Sequence, residues 1–156
     1  MHINAIAVGT RMPAWVTAGT EEYSRRLPAE LKWRWTELAL GRRKGRAACG
    51  PAVVDEGQRM LASLAPGDHV VALDVAGQTW STAELAGQLE RWLGSGRNLA
   101  LLIGGPDGLA PACLERAAQR WSLSPLTLPH PLVRVVLVEQ LYRAWSLLNN
   151  HPYHRA

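Results

Sequence analysis

The last residues of the chain carry groups that could move a proton or hold a phosphate. His151, Tyr153, His154 and Arg155 place two imidazoles, a phenol and a guanidinium close together. Such a tail could fold over a ligand, because histidine titrates near neutral pH and arginine binds phosphate at two points. The alternative is a solvated, disordered tail. Zinc binding is not favoured, since Pro152 prevents a helical pairing of the histidines and no third ligand cluster exists.

Three segments that follow apolar runs of strand length could form a ligand site. They are Leu73 to Val75, Gly104 to Gly108 and Ser122 to His130. In open α/β sheets, ligands bind beyond the carboxyl ends of the strands, where these segments would converge. Gly104 and Gly105 would let a ligand approach the backbone. Their spacing fits neither a Walker loop nor a dinucleotide fingerprint, so a plain strand-to-helix turn is the alternative.

The segment around Leu123 to Leu128 indicates what kind of ligand would fit. Pro125, Pro129 and Pro131 exclude a regular helix, because proline lacks an N–H donor and pushes the preceding residue towards extended geometry. Exposed backbone groups between apolar side chains would suit a flat heteroaromatic ring that is recognised by its edge. A structural crossover loop is the alternative. His130 would be held rigidly nearby, either at the site or as a structural histidine.

A basic cluster and the overall composition limit which classes of protein fit this sequence. Arg42, Arg43, Lys44 and Arg46 lie among glycines, and the net charge is +4. The cluster is either a solvated loop or a phosphate contact. The 156 residues, 47% of them hydrophobic, predict one domain over residues 1–156. No apolar run is long enough to span a membrane, no signal peptide is evident, and only two distant cysteines occur, which together predict a cytoplasmic protein without a metal.

Strand and helix patterns alternate along the chain. Strands are predicted at Ile3 to Val8, Lys32 to Leu38, His69 to Val75 and Leu99 to Ile103, with a short fifth strand at Leu126 to Leu128. Helices begin near Pro13, Pro51, Thr82, Pro111 and Pro131. The helix from Pro111 is predicted to continue to Trp121. This order predicts an α/β fold, an open parallel-rich sheet with helices on both faces. The last helix is apolar nearly all round, which predicts burial on more than one side. On it, Glu139 is spaced to form an ion pair with Arg143.

The chain resembles the bacterial large-subunit rRNA pseudouridine N3-methyltransferases of the SPOUT superfamily. The motifs that carry the resemblance are Leu102 to Gly108, Trp121 to Ser124, Leu126 to Arg134, Leu141 to Trp145 and Asn150 to Arg155, with Ala7 to Thr10 and Met12-Pro13 near the N-terminus. They cover essentially the whole chain. Two positions depart from the pattern: Pro125 replaces a small residue, and Ala110 replaces a serine helix cap.

The resemblance implies a C-terminal trefoil knot and a homodimer, with S-adenosylmethionine held in the knot. It places the cofactor at Leu73, Gly104, Leu123, Ser124, Pro125, Leu126, Thr127 and Leu128. It assigns the substrate side to Arg143, Tyr153, His154 and Arg155, with His154 or a neighbour assisting removal of the N3 proton. The implied substrate is 23S rRNA in the assembled ribosome, with Arg42, Arg43, Lys44 and Arg46 as an accessory contact.

Two other functions remain open at this point. The chain could be a ribosome-binding module that kept the fold without methyl transfer, although the intact Gly104-Gly105 pair and the complete tail count against this. It could also methylate a different RNA base.

Overall fold

Five strands form a single parallel sheet in the order β2-β1-β4-β3-β5. The computed structural model describes residues 1–43 and 49–154. The elements are β1 (Ile3–Val8), α1 (Ala14–Ser24), β2 (Trp33–Leu38), α2 (Cys49–Ala62), β3 (His69–Thr79), α3 (Thr82–Gly94), β4 (Leu99–Ile103), α4 (Pro111–Arg116), β5 (Gln119–Ser122) and α5 (His130–Leu148). Short 3-10 turns span Ala29–Leu31 and Pro152–His154.

Apolar side chains on alternate faces of the sheet explain the two helical layers. On β1, Ile3, Ala5 and Ala7 belong to one buried cluster, whereas Ile6 and Val8 belong to the other. Helices α1, α3 and α5 lie on the first face, and α2 and α4 lie on the second. The central strands β1 and β4 are buried throughout, as expected for parallel strands covered on both faces. The predicted α/β architecture with helices on both faces is therefore confirmed.

Helix α5 packs between α1 and α3 and has no fully exposed residue along its length. Its buried side chains include Leu137, Val138, Leu141 and Tyr142. This confirms the prediction that an all-round apolar helix is buried on more than one side. Its buried polar side chains are those of Arg134 and Ser146, which are 3% and 0% exposed.

The chain between α4 and the start of α5 differs from the sequence prediction. The helix that begins at Pro111 ends at Arg116 instead of continuing to Trp121, because Ala117 is extended and the Ala118 N–H donates to the Val70 carbonyl of β3. Residues 119–122 then join the sheet edge as β5, and residues 126–128 form no strand. Ala110 makes no side-chain cap at the start of α4, so this short helix lacks the stabilisation that a serine would give.

The trefoil knot remains a prediction, since strand order and pairing alone do not establish a knot.

Replacing either of two helical glycines by alanine should change the stability of the fold, in opposite directions. A Cβ at Gly57 in α2 would lie 2.5 Å from the Ala110 Cβ, whereas a Cβ at Gly87 in α3 would meet no atom within 4 Å. We expect Gly57→Ala to destabilise the fold by about 2 kcal/mol through overpacking between α2 and α4. The matched control, Gly87→Ala, should stabilise it by about 0.5 kcal/mol. Urea unfolding measures both, and equal midpoints for the two variants would contradict this account of the packing.

Candidate functional site

A cleft of about 440 Å³ opens at the carboxyl edge of the sheet. The three segments selected from the sequence form its walls: Leu73 to Val75 from β3, Gly104 to Gly108 after β4, and most of the loop between β5 and α5. Ile103, Trp121 and Val133 add apolar surface. The predicted convergence of these segments is therefore observed, and the volume is in the range of small-molecule sites.

The glycine loop is a tight turn as well as a wall of the cleft. The Gly108 N–H donates to the Gly105 carbonyl at 3.1 Å, and Gly108 has a φ of +80°. A Cβ at Gly104 would lie 2.6 Å from the carbonyl carbon of Gly108, so a side chain cannot be added there without moving backbone. The loop thus needs glycine for its own geometry, and the same close packing shapes the cleft.

Two serines hold the loop after β5 in its shape. The Ser122 hydroxyl donates to the Ser124 carbonyl at 2.9 Å, and the Leu126 N–H donates to the Ser124 hydroxyl at 3.0 Å. Of the residues predicted to bind the cofactor, seven line the cleft: Leu73, Gly104, Leu123, Ser124, Leu126, Thr127 and Leu128. Pro125 is exposed and is not among the lining residues.

The charges in the cleft favour a ligand with a positive group. Asp74 and Asp107 both line it. The Asp74 carboxylate accepts the Ala76 N–H at 3.2 Å, whereas Asp107 also binds an arginine outside the cleft. His130 lines the cleft as well, and its buried Nδ1 has no hydrogen-bond partner among the described residues. Burial and the nearby charge of Arg134 lower the pKa of His130, so its imidazole is neutral near pH 7.

Arg43, a predicted RNA contact, forms two ion pairs within the folded domain. Its guanidinium lies 2.7 Å from the Glu56 carboxylate and 2.8 Å from the Asp107 carboxylate. The hydrogen bond to Glu56 makes the largest contribution to a raised pKa of Arg43, and the bond to Asp107 adds to it. The guanidinium therefore stays charged. Glu56 is 2% exposed, so Arg43 compensates a buried charge and anchors the glycine loop through Asp107. Arg42 is exposed. Lys44 and Arg46 lie outside the described residues.

Two of the predicted substrate-side residues, Arg143 on α5 and Tyr153 after it, share the carboxylate of Glu139. Glu139 Oε1 accepts hydrogen bonds from Arg143 at 2.6 Å and from the Tyr153 hydroxyl at 2.9 Å. The Arg143 guanidinium also lies 4.8 Å from the centre of the Tyr153 ring. The expected Glu139–Arg143 ion pair is confirmed. Burial and then the bond to Glu139 raise the pKa of Tyr153 well above its usual value, so the phenol stays protonated.

Sequence reasoning did not foresee that Tyr153 would share Glu139 with Arg143. The contact depends on the chain reversing after α5, where Asn150 has a φ of +52°. A lone asparagine is a weak signal for such a reversal. His154 is half-buried, and its buried Nδ1 has no hydrogen-bond partner within residues 1–43 and 49–154. Arg155 lies outside those residues.

The cleft and the tail cluster lie at different positions along α5. His130 lines the cleft at the start of the helix, and Arg143 lies about 20 Å further along its axis at 1.5 Å per residue. Within one chain, Arg143 is therefore well separated from the His130 side of the cleft.

Within the described part of the chain, no three His, Cys, Asp or Glu side chains come close enough to hold a metal ion. No helix there is long and apolar enough to cross a membrane.

Comparison with known proteins identifies the family. A family model described as "Predicted SPOUT methyltransferase" matches residues 1–154. The curated protein named ribosomal RNA large subunit methyltransferase H from Methylococcus capsulatus is 58% identical, and the match covers 99% of this chain and 100% of that protein. The protein of the same name from Hahella chejuensis is 56% identical, with 99% of both chains covered.

Solved structures agree at the level of the fold. A probable methyltransferase from Bordetella pertussis has a TM-score of 0.57 at 16% identity, with 91% of this chain and 95% of that chain covered. A probable methylase family protein from Haemophilus influenzae has a TM-score of 0.54 at 11% identity, with 99% and 70% covered.

The two neighbouring arginines of the basic segment should differ sharply in their effect on stability. Arg43→Ala leaves the buried Glu56 carboxylate without its cation, which we expect to cost about 3 kcal/mol of unfolding free energy. The control Arg42→Ala removes an exposed charge and should change stability by less than about 0.5 kcal/mol. Thermal and urea denaturation measure both variants. A stable Arg43→Ala protein would show that this ion pair does not support the fold.

Proposed function

The chain belongs to the ribosomal RNA large subunit methyltransferase H family of SPOUT methyltransferases, and from this premise we propose that it transfers a methyl group from S-adenosylmethionine to N3 of a pseudouridine in 23S rRNA. The coarser activity, methylation of large-subunit rRNA, follows from the family. The observation that carries the proposal is the cleft at the carboxyl edge of the sheet, whose walls contain seven of the eight predicted cofactor residues.

The residues of the cleft fit the chemistry of this methyl donor. Leu73, Leu123 and Leu128 offer apolar surface to an adenine ring, and the backbone of the serine-held loop can read the edge of that ring. The carboxylates of Asp74 and Asp107 suit the positive charge on the sulfur and the amino group of the donor. The tight turn at Gly104 leaves backbone rather than side chains facing the ligand.

The chemical demands on the protein are alignment and removal of one proton. When bound, S-adenosylmethionine supplies a methyl group on a positively charged sulfur, which keeps the bonding electron pair as the methyl passes to N3. The chain must hold the base so that N3 faces this methyl, and a protein group must accept the N3 proton. We propose that His154, or a neighbour in the tail, assists this proton transfer. Arg143 and Arg155 then stabilise the negative charge that develops on the base or hold a phosphate.

A homodimer would bring the predicted cofactor residues of one chain close to the predicted substrate-side residues of the other. A two-fold axis that crosses α5 places the helix of the second copy antiparallel to the first, so the start of one helix lies near the end of the other. The cleft of each protomer would then face the tail of its partner. The separation of about 20 Å along α5 between His130 and Arg143 supports this arrangement, and the Tyr153 hydroxyl of the tail donates to Glu139 of its own chain.

The proposed partner is the assembled ribosome, in the cytoplasm. A domain of 156 residues has little surface for binding RNA apart from its cleft, so the ribosome would hold the substrate in place. The basic segment at Arg42, Arg43, Lys44 and Arg46 would add a phosphate contact. Arg43 has a structural role as well, which leaves Arg42 as the freer cation among the described members of the segment.

Mass spectrometry of rRNA nucleosides tests the proposed substrate. Deleting the gene should remove one N3-methylated pseudouridine from 23S rRNA, and the wild-type gene should restore it. Retention of that nucleoside after deletion would contradict the proposal, and loss of a different methylated base would assign the enzyme to that base. Calorimetry with S-adenosylmethionine provides the control, because a folded dimer that binds none would be a ribosome-binding module without methyl transfer.

A further inference from the structure

The carboxylate of Asp107 belongs to the cleft wall and is held by a residue outside the cleft. Its Oδ2 accepts a hydrogen bond from the Nε of Arg43 at 2.8 Å, and its Oδ1 accepts none from residues 1–43 or 49–154. The Asp107 side chain is 36% exposed, so without the arginine it could rotate towards solvent. Arg43 is therefore the side chain that restrains this carboxylate.

Arg43 can hold Asp107 because buried groups set the position of its own guanidinium. Its Nη1 lies 2.7 Å from Glu56 Oε1 and donates to the Gly41 carbonyl at 3.1 Å. Glu56 Oε1 also accepts the Gly41 N–H at 3.1 Å, and Glu56 is 2% exposed. The guanidinium is planar, so fixing Nη1 also fixes the direction in which Nε donates to Asp107.

The backbone beside each partner of this ion pair is closely packed. A Cβ at Gly41 would lie 2.5 Å from the Ala52 carbonyl oxygen, and a Cβ at Gly105 would lie 3.0 Å from a methyl group of Val8. Neither backbone segment has room to shift without moving its neighbours. A change in the side chain that joins the two segments should therefore move the Asp107 carboxylate rather than the loop.

Charge alone would give Arg43 the opposite effect on a cationic ligand. S-adenosylmethionine carries positive charge on its sulfur and on its amino group, and a guanidinium beside the cleft repels both. If Arg43 acted only through its charge, neutralising it would strengthen donor binding. If Arg43 acts by holding Asp107 in place, breaking their contact would weaken donor binding. The sign of the effect therefore distinguishes the two roles.

We propose that Arg43 is a positioning residue for the methyl donor, and that it holds the Asp107 carboxylate where the free oxygen can bind a positive group of S-adenosylmethionine. A carboxylate that is already held loses less conformational entropy on binding than a mobile one, so the contact raises donor affinity. The inference rests on the proposed function, which supplies the identity of the ligand. It gives a second role to a residue of the basic segment.

Calorimetry with S-adenosylmethionine on the full-length protein tests this role. Arg43→Lys keeps the charge, but one ammonium that stays on the buried Glu56 cannot also replace the Nε contact to Asp107. We expect this variant to raise the Kd about fivefold, the effect of one lost hydrogen bond. Arg42→Lys is the matched control and should leave the Kd unchanged, because Arg42 is exposed and does not hold Asp107.

A double-mutant cycle separates positioning from a purely structural role. Asp107→Ala should raise the Kd by itself. Adding Arg43→Lys to Asp107→Ala should raise it no further, since the carboxylate that Arg43 positions is gone. A purely structural Arg43 would instead lower the melting temperature of Arg43→Lys and leave the donor affinity of the folded protein unchanged.

A second pair of variants serves if Arg43→Lys does not fold. Glu56→Gln removes the buried charge and leaves Arg43 free to hold Asp107. Combining Glu56→Gln with Arg43→Gln removes both charges, which avoids an unpaired buried ion, and also removes the contact to Asp107. The combined variant should bind the donor about fivefold more weakly than Glu56→Gln alone, for the same lost hydrogen bond.

Three results would overturn the inference. Arg43→Lys could bind the donor as tightly as the wild type, the combined glutamine variant could bind it as tightly as Glu56→Gln or more tightly, or the losses from Arg43→Lys and Asp107→Ala could add. Any of these would remove the positioning role and leave the proposed function intact. A wild-type protein that binds no S-adenosylmethionine would instead remove both.

Discussion

The buried guanidinium of Arg134 fixes the start of α5 against the sheet. It donates to the Val8 and Gly9 carbonyls at the end of β1, at 3.3 and 2.7 Å, and pairs with Glu37 on β2. Removing it would leave the two buried carbonyls without this donor, whereas the Glu37 side chain is 40% exposed and could turn to solvent. The loop from β5 therefore ends at this point, with the cleft beside His130 in the first turn of the helix.

The length and burial of α5 then determine how the proposed site is divided. The helix has 19 residues and packs along the sheet, so its two ends cannot approach each other. Half-way along the helix, Glu139 accepts hydrogen bonds from Arg143 and Tyr153, and both groups stay protonated. In the proposed homodimer, the partner chain would supply the cleft that this cluster faces. Approach of the RNA would in addition have to compete with Glu139 for the arginine.

The sequence predicts the parts of this structure that depend on local pattern. Continuous apolar runs predict β1, β3 and β4, the Ser81–Glu84 capping box predicts the start of α3, and glycines and prolines mark the cleft loops. The early end of α4 was missed, because residues 117–122 have helical spacing but pair with β3. The ion pairs of Arg43 with Glu56 and of Arg134 with Glu37 were not foreseen, since charge partners distant in sequence leave no periodic signal.

Complementation between two defective chains tests most directly whether the cleft of one protomer works with the tail of its partner. One chain carries Gly104→Ala, which deforms the cleft, and the other lacks residues 151–156. Both homodimers should be inactive. The purified heterodimer contains one intact cleft facing one intact tail, so it should recover about half of the wild-type turnover on ribosomes. A folded heterodimer no more active than the two homodimers would contradict the shared site and require both sets of residues to act within one chain.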